Sequence, residues 1–317
     1  MASSDGKGFE PHGLPPDVQV FERGWLSSNN VLLHAEGCST LIDSGYITHE
    51  TQTSALVRSA LKGEPLHQLL NTHLHSDHCG GNRLLQSDYP AMSTLVPIGS
   101  IHAVRRWDER TLSFEITGQR CEQFSASGTL QPGSALVIGG RAWQVHAAPG
   151  HDPEAVLLFS PEDRILISAD ALWENGFGVV FPELEGEHAF EEVEQTLDLI
   201  ESLDPLIVIP GHGSVFGDSR SALARARSRL AAFVADPRRH AAYAAKVLLK
   251  FKLLEVQRIP LLQLETWTRQ TPYFELVHQL HFAGTPFDTW VHGLLQALST
   301  SGAATRVNGD VFNSEPH

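Results

Sequence analysis

Four side chains able to bind a metal ion fall within six residues of this chain, in the run His73-Leu74-His75-Ser76-Asp77-His78. Imidazole and carboxylate suit Zn²⁺, and they also suit Mn²⁺ or Fe²⁺. In an extended turn alternate residues point the same way, so His73 and His75 reach one ion. Once the chain bends, Asp77 and His78 reach a second. Six residues do not close a metal site, so the other ligands must come from elsewhere. Three residues stand in a suitable context: His151 in Pro149-Gly150-His151, Asp170 in Ser168-Ala169-Asp170, and His212 in Pro210-Gly211-His212-Gly213. Each follows an apolar run that reads as a strand, and loops at strand ends are where rigid scaffolds present functional groups. Taken singly, a histidine here is a core or surface residue and Asp170 a helix N-cap. It is the combination that sets these residues apart.

The pattern along the chain supplies the scaffold. Residues 18–21, 30–35 and 39–43 read as short strands, 53–61 as a helix, and 66–71 as a buried strand opening into the histidine-rich loop. A short helix at 81–86 and a strand at 91–96 follow. Residues 107–134 read as an insertion or long connection. Four strands are then expected at 135–138, 143–147, 155–159 and 164–168. Apolar Phe190, Val193, Leu197 and Ile200 recur at helical spacing within 187–203. A strand at 206–209 and a helix at 219–235 complete this part. Two similar passes of strands and helices argue for a layered α/β (α+β) domain with sheets inside and helices outside. The expected organisation is a polar tail at 1–17, a catalytic domain at 18–236, and a mainly helical C-terminal domain at 237–317. Asn308-Gly309 between alternating residues signals a terminal hairpin, so that last part is expected to be winged-helix-like.

With these residues in hand, the chain resembles the metallo-β-lactamase-fold superfamily. The resemblance is carried by Thr72 to Gly81, Pro149-Gly150-His151, Ser168-Ala169-Asp170, Pro210-Gly211-His212-Gly213 and the early turn Leu41-Ile42-Asp43-Ser44-Gly45. It covers roughly residues 18–235. The resemblance implies an αββα sandwich with the site along one edge of the sheets. It implies His73, His75 and His151 on a first metal, Asp77, His78 and His212 on a second, and Asp170 bridging both. Asp43 would sit behind the ligands and orient one by a hydrogen bond; as a plain turn former before Gly45 it would have no such role. The best-known β-lactamases carry Cys where this chain has Asp170, and flavo-diiron oxygen reductases carry Glu in place of His75. The chain therefore looks most like the glyoxalase II, lactonase and RNase Z branches.

The activity this implies is that of a zinc-type hydrolase. Hydroxide held by two metals would cleave an ester-like bond in a small-molecule substrate: a lactone, thioester or carboxylic ester. Asp77 would relay a proton to the leaving group. Trp173, Phe177 and Phe181, close after the bridging position, would form the acyl pocket, or else serve as ordinary packing. A phosphodiesterase or nuclease of the same fold, a mononuclear-iron persulfide dioxygenase, and a binding protein with a vestigial site are the competing readings.

Charge and composition weigh on those alternatives. The net charge of −14 disfavours nucleic acid as a partner. It is unevenly spread, with 30 acidic and 11 basic residues in 1–218 against 7 and 12 in 219–317. The basic C-terminal helices could grip an anionic partner, or simply solvate their own faces. That part is expected to cover the active-site edge or to form a homodimer contact. No apolar run approaches the ~20 residues of a membrane span. The N-terminal run lacks the pattern of a signal peptide. Three cysteines without a CxxC pair give no disulfide framework, which fits a reducing, cytoplasmic setting.

Overall fold

The computed structural model describes residues 13–35, 37–138 and 140–315. Most of the polar tail expected at 1–17 therefore lies outside the described residues. Six strands build a first sheet in chain order: β1 (Val18–Phe21), β2 (Asn30–Ala35), β3 (Cys38–Ile42), β4 (Gln68–Leu70), β5 (Ser93–Pro97) and β6 (Gly128–Leu130). β1 to β3 pair antiparallel, and β3 to β6 parallel. A second sheet holds β7 (Ala135–Ile138), β8 (Arg141–Ala147), β9 (Val156–Ser160), β10 (Ile165–Ala169) and β11 (Ile207–Pro210), with β10 and β11 parallel.

Helices α1 (Glu50–Leu61), α2 (Ser76–Cys79), α3 (Asn82–Asp88), α4 (Ile101–Arg106) and α5 (Phe114–Thr117) belong to the first half. α6 (Phe181–Leu184), α7 (Phe190–Leu203) and α8 (Ser219–Ala235) belong to the second.

Strand alternation explains why the sheets stack. Val31, Leu33, Ile42 and Leu70 of one sheet meet Val156, Leu158, Ile165, Ile167 and Ile209 of the other in a single core. Their neighbours Leu32, Leu41 and Leu69 point the opposite way, onto Val57 and Leu61 of α1 and Leu85 of α3. Leu157, Leu166 and Val208 likewise face Val193, Leu197 and Ile200 of α7 and Ala222, Ala226 and Leu230 of α8. Both faces of the central strands are thus covered, and such strands read as continuous apolar runs, whereas β7 and β8 at one edge bury a single face. The layers are helix, sheet, sheet, helix, as expected.

The remaining chain forms α9 (Pro237–Val256), β12 (Arg258–Pro260), α10 (Leu261–Gln270), α11 (Pro272–Val277), α12 (Phe287–Thr300) and the hairpin β13 (Ala304–Val307) and β14 (Asp310–Asn313). The hairpin gains a third strand: β12 pairs with β14, a short segment with no alternation to betray it. Val179 and Leu184 sit inside the core that α9, α11 and α12 build. The C-terminal helices thus pack directly against the loop beside the site. The stretch read as an insertion or long connection at 107–134 contains α5 and β6, and at Gly118 it packs on Trp267 and Thr271 of the C-terminal part. No helix among the described residues is long and apolar enough to cross a membrane.

Candidate metal centre

His73, His151, Asp170 and His212 each lie within four residues of a strand end, and His75, Asp77 and His78 follow in the loop and helical turn after His73. β4 ends at Leu70 and hands the chain to Asn71, Thr72 and His73. Asp43 follows β3 in a left-handed conformation, at φ 57°. Its carboxylate accepts from the Thr72 backbone N–H at 2.8 Å and the Thr72 hydroxyl at 2.7 Å. The same carboxylate meets His78 Nδ1 at 2.8 Å. The bend expected after His75 is α2, a single helical turn that carries Asp77 and His78 away from His73 and His75. Asn71 secures it by donating to the His78 carbonyl at 3.1 Å. The glycine pair after α2 is required by contact. A Cβ on Gly80 would lie 2.4 Å from Ile47 N, and one on Gly81 would lie 2.6 Å from the Ser44 carbonyl oxygen.

Two groups of ligand atoms result. His73, His75 and His151 form one, and Asp77, His78, Asp170 and His212 the other; within each group the atoms lie within 4.8 Å of one another. Asp170 stands between the two groups. Its Oδ1 is 3.4 Å from His78 Nε2, and its Oδ2 is 3.4 Å from His151 Nε2 and 3.9 Å from His212 Nε2. Asp77 Oδ2 is 3.1 Å from His212 Nε2. His75 Nδ1 and His151 Nε2 approach to 2.7 Å. His151 is aimed from behind, because its Nδ1 donates to the Val179 carbonyl at 2.5 Å.

These residues fit a divalent metal on their own chemistry. His73 Nε2 and His78 Nε2 are buried without a hydrogen-bond partner, a cost of about 1–3 kcal/mol each unless something accepts them. A cation is the partner that the His73 lone pair lacks; at His78, where burial is outweighed by Asp170, Asp43 and Asp77, which hold the ring well above the usual imidazole range, it would replace a proton. Burial pushes His75 and His151 down to about 4 and holds His73 well below the usual imidazole range. All three are therefore neutral, the state in which imidazole binds metal. Burial would raise Asp170, but the His78 and His212 imidazoles outweigh it and keep the carboxyl well below its usual range.

Two hollows open from the cradle. One, of about 500 Å³, touches His75 and His151 and reaches Arg110, Asp152 and Glu185. The other touches Asp77, Asp170 and His212 and is walled by Trp25, Trp173 and Phe251. Of the expected pocket residues, Trp173 lines the second hollow and donates to Asp170 Oδ1 at 3.2 Å. Phe181 lines both hollows, edge-on to His75 at 5.0 Å. Phe177 does not line either. It is 2% exposed and packs against Phe233 in the core under α8.

Trp25 and Asp152 were not singled out from sequence. Trp25 lies parallel to the His212 ring at 5.4 Å and 11°, and nothing in Gly24-Trp25-Leu26 signals that. Asp152 Oδ2 stands 3.7 Å from His75 Nε2. Its place directly after His151 was the available hint.

Two facing sheets with this seven-residue cradle on one rim define an αββα fold of the metal-binding kind. The Metallo-beta-lactamase superfamily model matches residues 23–212, more than half of the chain, and the chain belongs to that superfamily. A hydroxyacylglutathione hydrolase of Synechococcus sp. (strain JA-3-3Ab) is 31% identical over 170 residues, covering 50% of this chain and 58% of that protein. The acyl-coenzyme A thioesterase MBLAC2 of Homo sapiens is 26% identical over 160 residues, covering 47% and 57%. The chain thus spans somewhat more than half the length of these relatives. A metallo-beta-lactamase family protein from Thermus thermophilus shares the fold with a TM-score of 0.56 at 18% identity, over 95% of this chain and all of the other. A beta-lactamase domain protein from Burkholderia ambifaria does so with 0.58 at 20%, over 96% and 94%.

Proposed function

We propose that this chain is a metal-dependent hydrolase that cleaves an ester-like bond, in a lactone, thioester or carboxylic ester, of a small molecule. The observation that carries the reading is Asp170, one carboxylate within 4 Å of histidines from both ligand groups. His73, His75 and His151 would hold one divalent cation, Asp77, His78 and His212 a second, and Asp170 would be shared. Zinc suits this donor set, as do manganese and iron. When bound, such a pair of cations supplies Lewis acidity and brings the pKa of water toward neutrality.

The chain's own residues do the rest. Asp43 fixes the His78 ring, and the Val179 carbonyl fixes His151. Trp173 and Phe181 keep bulk water from the two sides of the cradle. The Asp77 carboxylate, next to His212, would take a proton from the attacking water and pass it to the leaving oxygen or sulfur. The hydrolase names of the relatives support this class of reaction.

The basic C-terminal residues do not favour the nuclease alternative. Arg227 pairs with Asp198 and Glu201, Arg258 with Asp310 and Arg269 with Asp288. The test is a panel of lactones, thioesters, carboxylic esters and phosphodiesters, assayed with metal-loaded protein. Turnover confined to the carbonyl substrates is expected. Turnover of phosphodiesters alone would overturn the reading.

A further inference from the structure

The two hollows that meet at the cradle differ in chemistry. The first is mixed: Arg110, Asp152, Glu185 and Glu187 share its wall with Ile116, Phe181 and Leu276. The second is narrow, about 80 Å³, and aromatic and aliphatic, and its wall continues beyond the site. It shares Trp25, Tyr243, Val247 and Phe251 with a further hollow of about 410 Å³ that reaches Leu254 and, on α12, Leu298. That volume lies in the range of small-molecule pockets, roughly 300–1,000 Å³. Tyr243, Val247, Phe251 and Leu254 recur every three or four residues on α9, so they form one stripe along one helix face. The result is an apolar trough that starts at Asp170 and His212 and runs along α9 to α12.

Its outer wall is Trp25. This side chain is 57% exposed, yet it is fixed on two sides. It stacks on His212 and meets Trp173 edge-on at 5.3 Å. Lys250 lends only its methylene stem. Its ammonium donates to the Ala303 carbonyl at 2.9 Å and to Asn313 Oδ1 at 2.6 Å. Lys246 lies on the rim and has no hydrogen-bond or ion-pair partner among the described residues, as expected of a charged head left in water.

We propose that this trough is the subsite for an extended, unbranched apolar acyl chain of the substrate. The scissile carbonyl lies at the cradle, the chain runs along α9, and the leaving group occupies the first hollow, which carries Arg110 and the three carboxylates. This rests on the hydrolase reading above. The first hollow is the poorer seat for the chain, because packing an alkyl group there would strip water from Asp152, Glu185 and Glu187. In the trough each methylene withdrawn from water strengthens binding by up to about fourfold.

The experiment uses the metal-loaded full chain and N-acetylcysteamine thioesters of acetate, butyrate, octanoate and decanoate. The expected kcat/KM rises with chain length by about two- to fourfold per methylene until the trough is filled. Val247→Phe, which fills the trough midway, should lower the decanoyl-to-acetyl ratio at least tenfold. Ala297→Phe, on the exposed far end in α12, keeps the test alive if Val247→Phe does not fold, and should shorten the preferred chain. Equal kcat/KM for acetyl and decanoyl thioesters would overturn the subsite and leave the hydrolase reading standing.

A second arm reads binding without turnover. Decanoate is titrated while intrinsic tryptophan emission, to which Trp25 and Trp173 contribute, is followed. A saturable change in the parent, lost in Val247→Phe, supports the trough even if no ester is cleaved, and then only the hydrolase reading fails. No change, together with no thioester turnover, overturns both.

Discussion

Asp43 Oδ2 and His78 Nδ1 lie 2.8 Å apart, and both side chains are buried. Because Thr72 donates twice to the same carboxylate, Asp43 cannot rotate away. His78 is therefore held with Nε2 facing Asp170. In Asp43→Asn an amide N–H must face either Thr72 or His78, and donor meets donor. Metal affinity should fall by roughly 10–100-fold, the usual cost of losing a carboxylate behind a ligating histidine. Competition against a chromophoric chelator measures it, and unchanged affinity would show that Asp43 is only a turn residue.

Gly178→Ala tests how closely the first group of ligands is packed from behind. A Cβ there would lie 2.4 Å from His151 Nδ1, so the ring must leave its bond to the Val179 carbonyl. The variant should fold with a near-parental melting temperature and bind about one metal equivalent fewer. Full metal content would mean that the ring tolerates displacement.

Asp77→Asn separates ligation from proton transfer. If Asp77 passes a proton to the leaving group, turnover should fall by roughly 10²–10⁴-fold, and the loss should be smaller for substrates with good leaving groups. A variant that keeps its metal and its full rate would remove that role.

His240 predicts a pH dependence of stability away from the cradle. Burial, followed by the nearby His281 and Arg229, holds its pKa at about 4 against an ordinary 6.5. The ring accepts from the Val180 N–H at 3.1 Å through Nε2 and is packed between Phe190 and Phe233, so a proton on Nε2 would break that bond. Below pH 6.5 the unfolded chain binds a proton that the folded chain refuses. The contribution is therefore complete above about 6.5 and is lost as pH falls toward 4. The slope is up to about 1.4 kcal/mol per pH unit. Denaturant titrations at several pH values should show a shallower acid loss in His240→Gln. Parallel slopes would contradict it.

Much of this was legible in the chain because the ligands are local signals. His73 to His78 lie in one stretch, Asp170 and His212 each follow a fully buried apolar strand, and His151 follows β8, whose alternation buries one face. Which layer each side chain enters was not legible, since Val31, Leu32 and Leu33 are all apolar although Leu32 faces away from the other two. The substrate side was not legible, because it is assembled from distant segments. Trp25 is brought onto His212, and Val247 onto the same wall, by contacts between residues far apart in sequence. Phe177 takes the packing alternative: near the bridging ligand in sequence, it points under α8 rather than into a hollow.

The most direct test of the central claim is a titration of the metal-free full chain with zinc, manganese or iron. Bound metal per chain and thioester turnover are followed together. Both should rise in step to a plateau at two equivalents, with activity absent before metal is added. A plateau at one equivalent, or turnover that needs no metal, would contradict the two-cation hydrolase.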